Sequence, residues 1–284
     1  LLEVVDRYLK SLYNRKKLAH NTKVGYNVTV NTLKQYKLGY MEIGKIRPEH
    51  CEEWLADMKK KYRGSSIQTQ ISLIKRTFEY ALDYDYVAKN PFRRITTDRS
   101  DSKKMEALSV EDMNRFLDFC SKDTHSSHCY DMLYVLFWSG LRASELCGLT
   151  LDNIDMDNRM ITVDKQLQCI NHTHVVLPTK TTNGVRTIPM TDGVYESLQR
   201  IIENRYLKGD IEPVCYDEHP IRKFEPHICR HTFATNMQYL PPKTLQHILG
   251  HGNISTTMDN YVDVKPGAEQ LAQINAIANQ LNTN

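Results

Sequence analysis

A mainly α-helical protein in two parts, the second carrying a small β-sheet, is the fold that the sequence predicts. Three observations point there. Apolar residues recur at helical spacing over most of the 284 residues. One stretch, residues 159–190, breaks instead into short strand-like runs around a turn. Charge also changes sign along the chain: residues 1–104 hold 22 Lys and Arg against 12 Asp and Glu, whereas residues 105–284 hold 15 against 22. The overall +3 conceals this split. A basic first part is the footprint of a polyanionic partner, although a helical surface solvated by its own charges reads the same way.

The elements follow in order. In "LLEVVDRYLKSLY", Leu2, Val5, Leu9 and Leu12 share one helical face. Asn21 or Thr22 is expected to cap "KVGYNVTVNTLKQY", whose β-branched residues weaken it as a helix. Pro48 opens "PEHCEEWLADMKKKY" as a first-turn proline, Gly64 is expected to stop that helix, and Ser65 or Ser66 to cap "IQTQISLIKRTFEYALDY". Asn90-Pro91 then breaks the pattern. Four helices make an all-α domain of residues 1–91, and the polar, basic "FRRITTDRSDSKK", residues 92–104, reads as an interdomain linker. Arg93 and Arg94 within it either follow a phosphate backbone or belong to a plain tether.

After the linker, Ser109 is the expected N-cap of "LSVEDMNRFLDFC", with Asp112 in the capping-box position. The nearly all-apolar "HCYDMLYVLFWSG" reads as a buried core helix closed by Gly140. "RMITV" is one expected strand, and "HVVLPTKTTNGVRTIPM" two more around Thr182-Asn183-Gly184. Helices resume near residue 191. In "KPGAEQLAQINAIANQ", Leu271, Ile274, Ile277 and Ala278 share a face that packs either on a neighbouring protomer or within the chain.

Composition narrows the function classes. No apolar run has the length of a membrane span, and the start is amphipathic rather than a secretory signal. A start at Leu1 suggests a piece of a longer polypeptide. Seven cysteines, scattered and never spaced C-x-x-C, argue for a reducing compartment, the cytoplasm, and against a disulfide framework or zinc ribbon. The N-x-[ST] triplets at Asn27, Asn171 and Asn253 read as chance there. Phosphate-cradling glycine loops and the G-x-S-x-G elbow are both missing from the sequence.

The chemistry concentrates in "HICRHTF", residues 227–233. A metal site fits poorly: on a helix Cys229 points away from His227 and His231, and "HILGH" around His247 and His251 lacks a zincin glutamate. No metal and no cofactor is expected. A phosphate fits better. His227 and Arg230, three residues apart behind Pro226, reach one ligand at a helix N-terminus, where free N–H groups attract anions. A surface pair at the start of a core helix is the plain alternative. Arg142 in "SGLRASELCGL" follows a buried helix directly, with Glu145 one turn on, and Tyr261 follows His251 by ten residues.

Taken together, Arg142 in "GLRASEL", Lys180 in "PTKTTNGVRTIP", His227 and Arg230 in "HICRHTFAT", His251 in "LGH" and Tyr261 in "TTMDNY" resemble, in order, the signature of the tyrosine recombinases, the phage integrase family. The motifs span the second part, and the basic helical first part is similar to the family's core-binding domain. The resemblance implies a C-shaped clamp on DNA, with an all-α core-binding domain and an α+β catalytic domain over residues 105–264. Residues 265–284 would be a tail helix, exchanged between protomers or kept within the chain. It implies Tyr261 as nucleophile forming a 3′-phosphotyrosine, Arg142 and Arg230 gripping the phosphate, and His227 as base. Lys180 would be the acid for the leaving oxygen, His251 a phosphate ligand, and Glu145 a support. Lys23, Ser66, Gln68, Thr69, Lys75 and Arg76, with Arg93 and Arg94, are the candidate DNA contacts. The implied partners are double-stranded DNA at element ends and target, other copies in a synaptic tetramer, and an excision factor; no membrane is involved. The style of "GNISTTMDNYVDV" points to an integrase of a conjugative transposon or phage. A chromosome-dimer resolvase and a silent DNA-binding regulator are the alternatives. The family's interval before His227 is longer than here, so residues are expected to be missing near "KGDIEPVCYDEHPIRKF".

Overall fold

A computed structural model describes residues 1–16, 18–97, 107–124, 126–171, 173–207 and 226–261, with backbone alone at 205–207 and 259–261. The chain divides into two compact units, Leu1–Lys104 and Met105–Asn284. Among the described residues, no helix is long and apolar enough to cross a membrane. The segments 98–106 and 208–225 and the tail after Tyr261 lie outside the described residues. With them go most of the expected linker, the interval expected to be short, and the tail helix.

The first unit holds α1 (Leu2–Arg15), α2 (His20–Leu33), α3 (Lys37–Tyr40), α4 (Pro48–Lys61) and α5 (Gly64–Asp83). The helical spacing of apolar residues does what it should: Val5 and Leu9 of α1, Trp54 and Met58 of α4, and Ile67, Ile71, Ile74 and Phe78 of α5 form one core. Two expected helix starts are corrected. Ala19, not Asn21 or Thr22, precedes α2, and no side chain caps that helix. Its threonines turn inward instead, Thr29 and Thr32 donating to the carbonyls of Gly25 and Val28. Gly64 does not stop α4 but begins α5. Tyr62 and Arg63 make the turn with extended backbone, so no left-handed residue is needed and neither Ser65 nor Ser66 caps the helix.

The expected linker also starts too early. Asn90 and Pro91 do not end α5, which stops at Asp83, and their turn folds back onto that helix: Asn90 Oδ1 accepts from the Phe92 N–H at 2.9 Å, and its amide donates to Glu79 at 2.6 Å. Phe92 is fully buried, stacked on Phe78 at 5.7 Å and edge-on to Trp54 at 5.6 Å, and Ile95 is buried with it. The apolar pair in a polar stretch thus belongs to the first core.

The second unit runs α6 (Val110–Lys122), α7 (Tyr130–Ser139), α8 (Ala143–Leu146), β1 (Ile154–Asp155), β2 (Met160–Val163), β3 (Lys165–Ile170), β4 (Thr173–Pro178), β5 (Arg186–Pro189), α9 (Asp192–Leu207), α10 (His227–Asn236), α11 (Pro242–Leu249) and α12 (Ile254–Tyr261). Ser109 caps α6 by accepting from the Asp112 N–H at 3.0 Å, and Gly140 ends α7 in the left-handed region at φ +68°, both as expected. α7 is the centre of the core, flanked by Met113 and Leu117 of α6, Ile161 and Ile188 of the sheet, Val194 and Leu198 of α9, and Cys229 of α10.

The strands around Thr182–Gly184 do not pair with each other. β5 pairs antiparallel with β2, Ile161 opposite Ile188, in the order β1-β2-β5; β4 pairs with β3 in a separate hairpin, Lys165 opposite Pro178 and Ile170 opposite Thr173. Thr182–Gly184 is a single 3-10 turn. β4 already has a nearer partner in β3. "KQLQCI", which carries little apolar alternation, pairs with β4 across a two-residue connection in which Asn171 takes φ +50°. Lys180 therefore follows the hairpin rather than riding on its arm.

Candidate active site

Gly140 sets the first corner of the site. Its left-handed turn ends the apolar α7 and throws the chain outward, so that Arg142 becomes the N-cap of α8. A Cβ at Gly140 would stand 2.7 Å from the Phe233 ring, so only glycine fits. Three residues on, Glu145 closes the capping box: its carboxylate accepts from the Arg142 N–H at 2.9 Å and from Arg142 Nη1 at 2.5 Å. Arg142 keeps a third of its side chain in solvent, whereas Glu145 is buried. Burial alone would raise the Glu145 pKa, but the hydrogen bonds and charge of Arg186, with the charge of Arg142, outweigh it and hold it below the usual value.

The second corner is α10. His227 stays accessible in its first turn, and Cys229 points into the core with no exposed surface, which removes it from any ligand set with His227 and His231. Arg230 is buried. Its Nη1 donates to the Gly140 carbonyl at 2.7 Å, and Nη2 donates to the Leu249 carbonyl and lies 2.9 Å from Nε2 of His251. A guanidinium can only donate, so Nε2 of His251 is the acceptor and the ring proton sits on Nδ1, facing Thr257 Oγ1 at 2.9 Å. Partial burial, then the charges of Arg230 and Arg142, push the His227 pKa down. Burial, then Arg230, Arg142 and Arg186, push that of His251 down to about 4. Both rings are neutral near pH 7.

The third corner is the turn after α11. Gly250 ends that helix at φ +62°, and a Cβ there would meet Arg186 Nη1 at 3.0 Å and the Asn183 carbonyl at 3.1 Å. The segment linking β4 to β5 thus packs beside the His251 turn. Lys180 lies exposed on that segment. Tyr261 is the last residue of α12, and its side chain lies outside the described residues.

Of the expected site residues, Arg142 is hydrogen-bonded to Glu145 and Arg230 to His251, and the two pairs lie close enough that His227 and His251 both feel both arginines. Two members were missed. Arg186 bonds Glu145 through both Nη atoms, and Thr257 holds His251. Arg186 shares the inward phase of β5 with Ile188, and a charge at an inward strand position is a signal the sequence offers. Nothing local separates Thr257 from its neighbour Thr256.

In the first unit, Ser66, Thr69 and Arg76 are exposed on α5 and Gln68 is half-buried there, while Lys23 is exposed on α2 over the Tyr13 ring. Arg76 donates to the Tyr26 hydroxyl at 3.3 Å, which puts the exposed faces of α2 and α5 side by side. Lys75 is turned away to the Arg93 carbonyl at 3.2 Å; Arg93 and Arg94 are exposed.

Comparison with known proteins bears on these constellations. The profile described as "Phage integrase family" matches residues 106–220 and 215–267, and that described as "Phage integrase, N-terminal SAM-like domain" matches 5–84. The chain is 30% identical to the transposase from transposon Tn916 of Enterococcus faecalis, over 89% of this chain and 72% of that one. It is 25% identical to tyrosine recombinase XerD of Rickettsia bellii (strain RML369-C), over 90% and 92%. Among solved structures, a Tn1549 transposon integrase in complex with transposon right-end DNA superposes with a TM-score of 0.84 at 29% identity, covering 97% of this chain and 99% of that one. A lambda integrase fragment on a core site shares the fold at 16% identity and a TM-score of 0.67, over 94% and 97%.

Proposed function

The chain belongs to the phage integrase family and is a tyrosine-type site-specific recombinase, and we propose that Arg142, Lys180, His227, Arg230, His251 and Tyr261 are its catalytic residues. It serves a mobile element of the conjugative-transposon kind, cutting and rejoining strands at the element ends and target. The observation that carries the residue assignment is the closeness of Arg142 and Arg230, both of which depress the pKa values of His227 and His251. Arg142 is held by Glu145 and Arg230 by the neutral His251, and both guanidiniums act on the His227 and His251 rings.

The phenolic oxygen of Tyr261 attacks the scissile phosphorus, and its proton passes to His227, which is neutral and accessible. A bond from tyrosine oxygen to phosphorus forms as the bond from phosphorus to the 5′ oxygen breaks, and Lys180 protonates that oxygen. Charge growing on the non-bridging oxygens is stabilised by Arg142 and Arg230, already oriented and partly dehydrated. The phosphotyrosine conserves the bond energy, so a 5′ hydroxyl from another strand reverses the step without a nucleotide cofactor. The first unit supplies phosphate contacts through Lys23, Arg76, Arg93 and Arg94, with Ser66, Gln68 and Thr69 at the bases. The reaction takes place in the cytoplasm, within a tetramer on DNA and with an excision factor for the reverse direction.

The test is a nicked suicide duplex from the ends of the element that encodes the chain. A covalent protein–DNA adduct forms without divalent metal and is lost in Tyr261→Phe. An adduct that survives this substitution removes Tyr261 as nucleophile.

A further inference from the structure

Arg186 is buried in the strand β5, at a position where β5 otherwise turns an apolar residue inward. A charge there costs desolvation, and an apolar residue of similar volume is often equally stable. Its contacts give the reason for its presence. Nη1 and Nη2 donate to the two oxygens of Glu145 at 3.2 and 2.8 Å, Nη1 also to the Gly184 carbonyl at 3.0 Å, and Nε to the Ile248 carbonyl at 2.6 Å. One side chain thus spans β5, the capping box of Arg142, and the end of the helix that leads to His251.

We propose that Arg186 is a positioning residue for strand cleavage, clamping Glu145 against Arg142 from one side and fixing the Leu249–His251 turn from the other. This rests on the recombinase reading of the site. Its physical content is a charge balance. Arg142 and Glu145 alone would cancel and present little field to a phosphate. With Arg186 behind the carboxylate, Arg142, Arg186 and Arg230 stand as three guanidiniums against Glu145 as one carboxylate. That excess of two matches the two negative charges of a five-coordinate phosphorus. The grip on Ile248 also settles where the Leu249 carbonyl and His251 meet Arg230. The charged groups facing this carboxylate are Arg142 on its own turn and Arg186 from β5; the carboxylate acts in turn on His227 of α10 and on His251, the rings that Arg230 also faces.

The experiment uses full-length Arg186→Gln and Arg186→Lys, with folding checked by thermal melting, in two arms. Without DNA, carboxyl-carbon NMR follows Glu145, its signal assigned by its loss in Glu145→Gln. The carboxyl is expected to titrate below the ordinary carboxylate range in the wild type and above it in Arg186→Gln, with Arg186→Lys between. On the nicked duplex, adduct formation in Arg186→Gln is expected to fall about a hundredfold, as for a misplaced catalytic group. Duplex affinity stays within a few fold, and the pH profile gains the Glu145 ionisation; Arg186→Lys recovers part of the rate without it. Unchanged Glu145 titration in a folded Arg186→Gln, or wild-type cleavage by it, overturns the proposal. A wild type that forms no adduct sinks the recombinase reading, while the NMR arm still decides whether Arg186 governs Glu145. Should Arg186→Gln fail to fold, Arg186→Lys carries both measurements, and its identity to wild type in both refutes the role.

Discussion

In the first unit, the candidate DNA contacts lie on exposed or half-exposed side chains around an apolar core; among its described residues the buried polar side chains are Thr29, Thr32, Gln70 and Thr77, none of them charged. In the second, Glu145 and Arg186 are buried as an ion pair, and Arg230 is buried against His251, at the proposed site. The contrast separates two uses of charge. Exposed cations are screened, act almost independently, and can grip a polyanion at any register. Buried cations are coupled, already oriented, and costly to disturb. On the proposed assignments, binding and catalysis stand on different physical footings within one chain.

The sharpest way to break this contrast is Arg230→Ala. Adduct formation on the nicked duplex is expected to fall by roughly a hundred- to a thousandfold, the cost of losing one pre-oriented donor. The second unit should also melt earlier, because the Gly140 and Leu249 carbonyls lose their buried partner. Arg230→Lys keeps the charge but not the fork, and should fall between. A variant that melts like the wild type would mean that the buried arginine is not structural.

The next effect probes the other unit by its core rather than its surface. Phe92→Ala should destabilise the first unit by about 3–5 kcal/mol, since its ring fills the space between Phe78 and Trp54. Hydrogen exchange, which reads each unit separately, should show the loss of protection in residues of α4 and α5 and none in α7. Arg94→Ala, two residues along, should leave exchange unchanged.

Phe92 also marks how far the sequence could be read. Elements with local signals were legible: Ser109 capping α6, Gly140 ending α7, Pro48 opening α4. Features decided by partners far along the chain were not. Whether Phe92 tethers or packs depends on α4 and α5, and whether β4 pairs with β3 or β5 depends on the whole sheet. The site divides the same way. Of the proposed residues, Arg142, His227, Arg230 and His251 are named by motif order, and Glu145 by its turn. Arg186 acquires its role only by meeting a carboxylate 41 residues away, and Thr257 only by facing an imidazole across a turn.

Thr257 offers a smaller effect that sharpens the idea of coupling in the second unit. With Nε2 of His251 accepting from Arg230, Thr257 fixes the proton on Nδ1 and links α12, which ends at Tyr261, to the arginines. Thr257→Val should slow cleavage about tenfold, the scale of one hydrogen bond to a charged network, whereas Thr257→Ser should not. The pH dependence follows from the depressed His251 value. An unfolded histidine takes up its proton near 6.5, whereas His251 does so at about 4. The stability this ring contributes is therefore complete above pH 6.5 and lost as pH falls toward 4. Thermal melts across that window should show a shallower decline in His251→Gln than in the wild type.

The smallest effects belong to the exposed cations, and their size is the point. Lys23→Ala and Arg76→Ala should each weaken duplex binding only a few fold at moderate salt, and lower the slope of log affinity against log salt by about one. The single-turnover rate of bound enzyme should stay as it was. Lys75 separates phosphate contact from proximity to it. It lies next to Arg76 in α5, yet its ammonium is spent on the Arg93 carbonyl, where it secures the turn that seats Phe92. Lys75→Ala should therefore loosen hydrogen exchange at residues 90–95 and leave the salt slope alone. A slope that drops as far as in Arg76→Ala would show that Lys75 leaves the turn when DNA is bound, and that this unit's charges are as coupled to its fold as those of the other.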